Sequence, residues 1–405
     1  MYKKIQNTGL RWTLIVLTVI FGIIIGYWMV LYLAVPHYYF KEGRPFQGEV
    51  LYNPYQDMDS TQWKQYNFHC HSRSYLGLTN GRLSHESTID SIYSLLGYDH
   101  YGISDYMSIN RHGADDGAPT AASSYIPAYE HGYGFIRKTH QLCIGAEKVR
   151  YIDYPFVQTM DMKQYMLNKL GEQCRFAVPA HPSYTKGYKV KEMRYLSGYR
   201  LLEVFNPFGC SEEHWDAALS TGHRVYAIGD DDSHNVLNSN EVGRNFTMIN
   251  SSSMNPDSIY QALDKGCSYA VDFHIYYDKP FEMKTERMKE LPHLTRCELC
   301  GDTLIVETSN GFIEIADFIG QDGKTLAHQE MIHQAQYVIQ PNDSYVRVKM
   351  RLPNNTFFYL NPITRHPTPI LYDSSIAEIN YTQTVLYYII YLLVIGIVIW
   401  KGLKK

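Results

Sequence analysis

The 405-residue chain has no excess of basic charge: 37 Lys and Arg stand against 41 Asp and Glu, a formal net charge of -4. Without a basic stripe there is nothing electrostatic to hold a phosphate backbone, so DNA and RNA binding are set aside. There is no internal repeat and no low-complexity segment, which argues against a solenoid or a long disordered tail. Cysteine is sparse and odd in number, seven in all, with none of the spacing of a disulfide scaffold. Cys297-Glu-Leu-Cys300 is a lone CxxC without the second pair that a zinc site needs, and reads as a local disulfide or as two strand cysteines. Charge is missing altogether from two long runs near the ends, where the apolar residues gather.

The first uncharged run extends from Trp12 to Val35. At about 1.5 Å per residue it spans a hydrocarbon core of about 30 Å. It is longer than the apolar stretch of a signal peptide, and no small-x-small cleavage site follows it. Residues 12–35 are therefore expected to be a transmembrane helix after a tip of residues 1–11. A second run, Thr384 to Trp400, is expected to be another, with Tyr387, Tyr388, Tyr391 and Trp400 as an interfacial belt and residues 401–405 as a basic tail. Lys3, Lys4 and Arg11 precede the first span and Lys401, Lys404 and Lys405 follow the second. The positive-inside rule then puts both termini in the cytoplasm of a multi-pass cell-membrane protein, with the middle extracytoplasmic. Lys41 and Arg44 weaken that asymmetry, and the odd cysteine count sits uneasily with an oxidising compartment.

Between the spans, 45% hydrophobic content over this length is enough for a real core. After a linker of residues 36–65, short apolar runs alternate with helix-like stretches: YNFHCH, HESTIDSIYSLLG, YGISDY, HQLCIGAEKV, then FAVPAHP, YRLLEVFN and RVYAIGDDDSH. Strands separated by helical patterns indicate βαβ units and parallel pairing. An α/β domain over residues 66–280 is expected, with its site at the carboxyl ends of the strands. Over residues 294–368 the pattern changes to alternation, with Asn310-Gly311 and Asp322-Gly323 as turns, which reads as a small antiparallel β-sandwich.

The candidate ligands all close strands. His69 and His71 stand two apart, so they share one face of a strand and present two imidazoles to one ion. Glu147 closes HQLCIGAEKV, His181 stands in Pro-Ala-His-Pro, and Asp232 and His234 form the late D-x-H. Together they form a mixed nitrogen and oxygen set suited to one or two divalent zinc, manganese or iron ions. Cys70, between the two histidines, is expected to point the other way. Arg73, Lys148 and Arg150 stand near these positions and are candidates to meet a phosphate, against the commoner reading as exposed charges.

In order, these motifs resemble the PHP (polymerase and histidinol phosphatase) family: H-x-H, a Gly-x-Glu strand end, a His-Pro motif and a late D-x-H. The resemblance covers roughly Tyr66 to Asp272, and the segment ending YVRVKM and LNPI is similar to the small C-terminal module of some members. It implies a distorted, seven-stranded β/α barrel whose members hydrolyse phosphoesters with up to three metals. One ion would be held by His69, His71, Glu147 and Asp232, and a second by Glu147 and His181, with His181 and His234 in catalytic roles. Three departures bear on metal count. Asn80 stands where an Asp is usual, Tyr106 stands where a His is usual, and no His follows Glu147 at the usual place. His100 and His112 lie near the altered motif as possible substitutes.

The resulting expectation is a membrane-anchored metal-dependent phosphoesterase that hydrolyses a phosphate ester by metal-activated water. Its partner would be a phosphorylated small molecule or an envelope component. The alternative is a catalytically impaired metal-binding scaffold or ligand-binding module at the membrane, and another metal-dependent hydrolysis, such as that of an amide, is a third reading.

Overall fold

The structure, a computed structural model, describes residues 8–404 apart from 79, 80, 82, 115–123, 274–279, 372, 374 and 375. Asn80 thus lies outside the described residues. The chain divides into two compact units, one made of residues 1–39 and 378–405 and the other of residues 40–377.

The first unit holds the helices Thr8–Leu33 and Tyr381–Leu403, of which Gly9–Leu33 and Tyr381–Gly402 are long and apolar enough to cross a membrane. Both begin a few residues before the uncharged runs. The second is started by Asn380, whose side chain accepts from the Gln383 backbone N–H, and the first ends ahead of Pro36, which disfavours helical backbone in the residue before it. His37 joins the two segments: its N–H donates to the Thr384 hydroxyl at 2.9 Å and its ring lies 4.3 Å from that of Tyr387.

The second unit is mixed α/β. Its first nine major strands are β1 (Trp63–Cys70), β2 (His100–Ile103), β3 (Ala128–His131), β4 (Gln141–Ala146), β5 (Cys174–Pro179), β6 (Leu201–Asn206), β7 (Tyr226–Gly229), β8 (Asn245–Asn250) and β9 (Ser268–Asp272). Helices α1 (Glu86–Leu95), α2 (Met160–Gly171), α3 (Glu212–Leu219), α4 (Pro256–Lys265) and α5 (Phe281–Lys289) are interspersed. Pairing is less parallel than the alternation suggests. β1 with β2 and β6 with β7 are parallel, whereas β3, β4 and β5 form an antiparallel sheet and β8 is antiparallel to both β1 and β9. The reason is plain at β3 and β4: only residues 132–140 connect them, too few for the crossover that parallel neighbours need. Nor do the strands close into one hydrogen-bonded ring among the described residues. The isolated bridges Tyr106–Glu130 and Cys70–Ser233 link the separate sheets instead.

The alternating C-terminal segment folds into antiparallel strands β10 (Leu294–Cys300), β11 (Thr303–Thr308), β12 (Ile313–Gly320), β13 (Lys324–Ile332), β14 (Ala335–Val338), β15 (Tyr345–Arg351), β16 (Phe357–Leu360) and β17 (Ile363–His366). β10, β11 and β14 form one small sheet, while β13, β12, β15 and β16 continue through β16 into β9, where Leu360 stands opposite Tyr269. One sheet therefore runs from β13 to β2. Apolar residues from both sheets and from the earlier strands, among them Phe246, Tyr269, Val306, Phe318 and Phe358, share a single core. Arg347 of β15 is buried and forks onto Asp216 of α3 at 2.7 and 2.8 Å, with its guanidinium 4.9 Å from the Trp215 ring. Cys297 is buried and Cys300 exposed, both free, as expected of residues three apart on a strand.

Candidate metal centre

At the end of β1, His69 and His71 turn to the same side, while Cys70 points the other way and its thiol meets the Gly102 carbonyl at 3.3 Å. The His71 N–H donates to the Ser233 carbonyl at 2.9 Å, which stitches this strand end to the loop after β7 that carries Asp232. His181 follows β5. Both His181 and Asp232 have left-handed backbone, with φ of 31° and 44°. Such conformations cost non-glycine residues about 1–3 kcal/mol and gather at functional sites.

The carboxylate at the middle of this group is Glu130, from β3. One of its oxygens, Oε2, lies 3.3 Å from His69 Nε2 and 3.1 Å from His71 Nε2, and Asp232 Oδ1 stands 3.3 Å from each of the same two nitrogens. The other oxygen, Oε1, lies 3.1 Å from His181 Nε2 and in hydrogen-bond contact with His140 Nδ1. The result is two donor groups, His69/His71/Glu130/Asp232 and Glu130/His140/His181, all buried and sharing one carboxylate.

These donors suit metal ions. Ligands about 2.1 Å from one ion stand about 3.0–3.4 Å from one another, which is the spacing in the first group. His69 Nε2, His71 Nε2, Glu130 Oε2 and Asp232 Oδ1 are buried without hydrogen-bond partners, an arrangement that would be costly if nothing bound there. Burial pushes the Glu130 carboxyl up, but His140 and His69 beside it outweigh that and hold it well below the usual carboxylate range. Asp232 is lowered likewise, with His69 and His71 overcoming burial. Burial pushes His71 down, yet the carboxylates of Asp232 and Glu130 facing it raise it to about 9. The pocket therefore favours positive charge opposite its carboxylates.

No protein-family model matches the chain, and no curated protein does. Among solved structures, it is similar to a two-domain protein from Bacteroides vulgatus ATCC 8482 described as containing a predicted PHP-like metal-dependent phosphoesterase. Identity is 13%, the match covers 83% of this chain and 98% of that one, and the TM-score is 0.36.

The residues behind the donors are organised by charge. Glu203, in β6, accepts from His69 Nδ1–H at 2.9 Å and from the His181 N–H at 2.6 Å. That fixes the His69 tautomer and leaves Nε2 bare toward Asp232. The three consecutive aspartates do different work. Asp230 accepts the Phe68 N–H at 2.5 Å, and Asp231 accepts the N–H groups of Gly243, Arg244 and Asn245 at 2.9, 2.8 and 3.2 Å. Only Asp232 faces the histidines.

Of the sequence candidates, His69, His71, His181 and Asp232 are brought together, and Glu147 is not. Glu147 is exposed beyond the carboxyl end of β4, beside Gln173. Because β4 runs antiparallel to β3 and β5, its carboxyl end lies at the opposite end from the donors, and its entrance, at His140, lies among them. Glu130 stands among these donors instead, and His140, ten residues after it, stands beside it. The signal present in the sequence was Ala-Tyr-Glu130-His-Gly, a strand broken by glycine, with Gly132 and Gly134 leading back to His140.

His234 stands outside both donor groups. Its Nδ1 lies 2.8 Å from the Asp232 carbonyl and must donate to it, so Nε2 accepts from the Tyr106 hydroxyl at 3.2 Å. Tyr106 also stacks on His71, with centroids 4.4 Å apart. His100 is half-buried in β2, where desolvation of its ring lowers it to about 4, and His112 pairs with Asp90 at 2.7 Å on the surface. Neither joins the centre. Arg73 and Lys148 are exposed and do not line the cavity over the donors, nor does Arg150. That cavity, about 450 Å³, is bordered by His140, His181, Asp232 and His234, by Tyr106 and Phe208, and by the charged side chains of Lys138, Arg244 and Glu241.

Proposed function

We propose that the chain is a membrane-anchored, metal-dependent phosphoesterase of the PHP type, with its centre built on Glu130. The division of that carboxylate carries the reading: Oε2 faces His69 and His71, Oε1 faces His140 and His181. Two divalent ions, zinc, manganese or iron, held by these donors would supply an activated water and neutralise charge on phosphoryl oxygens. With Glu130 and His140 assigned, the order H-x-H, Glu, His, His-Pro, D-x-H accords with the resemblance better than the order through Glu147. The separate sheets around the donors are then an opened form of the seven-stranded barrel. The membrane reading adds both termini in the cytoplasm, an extracytoplasmic unit of residues 40–377, and a phosphorylated small molecule or envelope component as substrate.

The chain's own groups complete the site. Lys138 and Arg244 place positive charge at the cavity wall, where a phosphate would enter. Burial, with Glu130 and Asp232 nearby, pushes the Tyr106 phenol well above its ordinary range, so it stays protonated. Its hydroxyl, which donates to His234 Nε2, would have to turn from that ring to give a hydrogen bond to the departing oxygen.

One observation favours a second reading, a metal-binding module without turnover. Tyr106 occupies His234 Nε2, which removes an imidazole from the set that could reach an ion. The deciding experiment is turnover by the full-length chain in lipid nanodiscs, metal-loaded, on a panel of phosphomonoesters and phosphodiesters, beside Glu130→Gln. Hydrolysis at least about 10³-fold above that variant supports the phosphoesterase. A parent no faster than Glu130→Gln, but unfolded by chelation, supports the module.

A further inference from the structure

Beside the cavity over the donors lies a second, of about 510 Å³, and the two share Tyr106 and Lys138. Its other walls are Tyr75, Met107, Tyr133, Phe135 and Tyr151 with Gly132. Phe135 and Tyr151 are 71% and 66% exposed, and the apolar surface continues from Phe135 to Phe156, ring centroids 6.2 Å apart. On the other side, Tyr75 and Leu76 have left-handed backbone, with φ of 49° and 60°, and Leu76 stands 92% exposed. A strained turn that holds a leucine in solvent beside an aromatic groove has an apolar use.

The groove's chemistry narrows that use. A polyol would need amide or carboxylate side chains to meet its hydroxyls, and Lys138 is the only charged or amide side chain among the described lining residues. The Tyr75 hydroxyl donates to the carbonyls of Tyr106 and Met107 at 3.0 and 3.3 Å, and the Tyr133 hydroxyl to that of Tyr151 at 3.1 Å. These phenols therefore spend their protons on backbone and turn carbon surface to the groove. Lys138, at the junction, suits a phosphate at the boundary between the two cavities.

We infer that the substrate is an alkyl phosphate: the phosphate lies among the donors and Lys138, and the alcohol's hydrocarbon chain lies in the groove of Tyr75, Tyr133, Phe135 and Tyr151. This rests on the phosphoesterase reading and names its substrate class. The chain's apolar character, not hydroxyl recognition, selects the substrate.

Binding of ethyl- and hexylphosphonate, which are not hydrolysed, to the metal-loaded full-length chain in nanodiscs tests the inference, with empty nanodiscs subtracted. Four added methylenes should tighten binding by at least about tenfold, and Phe135→Ser or Tyr151→Ser, both at exposed positions, should cut the gain to about threefold or less. Turnover of ethyl and hexyl phosphate is measured in parallel and should follow the same order. Hexylphosphonate binding no tighter than ethylphosphonate overturns the inference, as does a hexose phosphate that binds as tightly as hexylphosphonate; hydrolysis of both esters would then still uphold the phosphoesterase. A chain-length gain lost in the two variants, with no turnover of either ester, keeps the groove as an alkyl-phosphate site and overturns hydrolysis.

Discussion

The two donor groups that meet at Glu130 are held by different means. Around His69, His71 and Asp232 the hold is polar. Glu203 orients His69, the loop of Asp232 is tied to the end of β1 through His71 and Ser233, and Asp231 gathers three backbone N–H groups. Around His140 the hold is steric. A methyl group at Gly132 would come within 2.7 Å of His140 Cδ2, and one at Gly134 within 2.5 Å of His140 Nε2, both on backbone with positive φ. Hydrogen bonds set direction in the first group, while in the second the ring is placed by neighbours that have no side chain.

That difference can be broken at its shared point. Glu130→Gln should remove ions from both groups and lower turnover by about 10³-fold or more, because it takes the charge from both sets while keeping the shape. Gly134→Ala should separate the groups: His140 is displaced, one ion is lost and the other kept. Folding stability should fall by about 1–2 kcal/mol from the strained φ of 49°, as read by denaturant unfolding. Glu203→Gln should leave the fold intact and weaken metal binding about 10–100-fold, most at the group of His69, as read by competition with a chelator.

A pH dependence arises in the scaffold of the first group. Lys284 is buried and donates to the carbonyls of Ser239 and Val242, beside the N–H groups that hold Asp231. Burial lowers its pKa to about 8, with Asp231 opposing. Unfolded, it would titrate near 10.4, so between about pH 8 and 10.4 the unfolded chain binds more protons. Stability should then rise with pH across that window, by up to about 3 kcal/mol, and be insensitive to this group below it. Lys284→Met should flatten the slope in denaturant titrations.

The same contrast explains what could be read beforehand. His69 and His71 announce themselves because period-2 spacing puts both on one face, and His181 and Asp232 follow strands that run toward the centre. Glu130 and His140 do not. Glu130 lies on β3, which has only four residues, and His140 stands at the entrance of β4, a position that a parallel reading assigns to the far end. A parallel reading therefore points to Glu147, beyond the carboxyl end of β4, and not to Glu130. The C-terminal alternation was equally legible as antiparallel strands, but the pairing of β16 with β9 joins Leu360 to Tyr269, and nothing local encodes a partner so distant. Tyr106 is legible only as a departure from the resembled motif, whereas its hydrogen bond to His234 depends on tertiary placement.

The most direct test of the account is metal content per chain in the purified full-length protein, with Glu130→Gln and Glu147→Gln beside it. Two ions in the parent, none in Glu130→Gln and two in Glu147→Gln is the predicted result. A parent without metal, or a Glu130→Gln variant that keeps both ions while Glu147→Gln loses them, would contradict it.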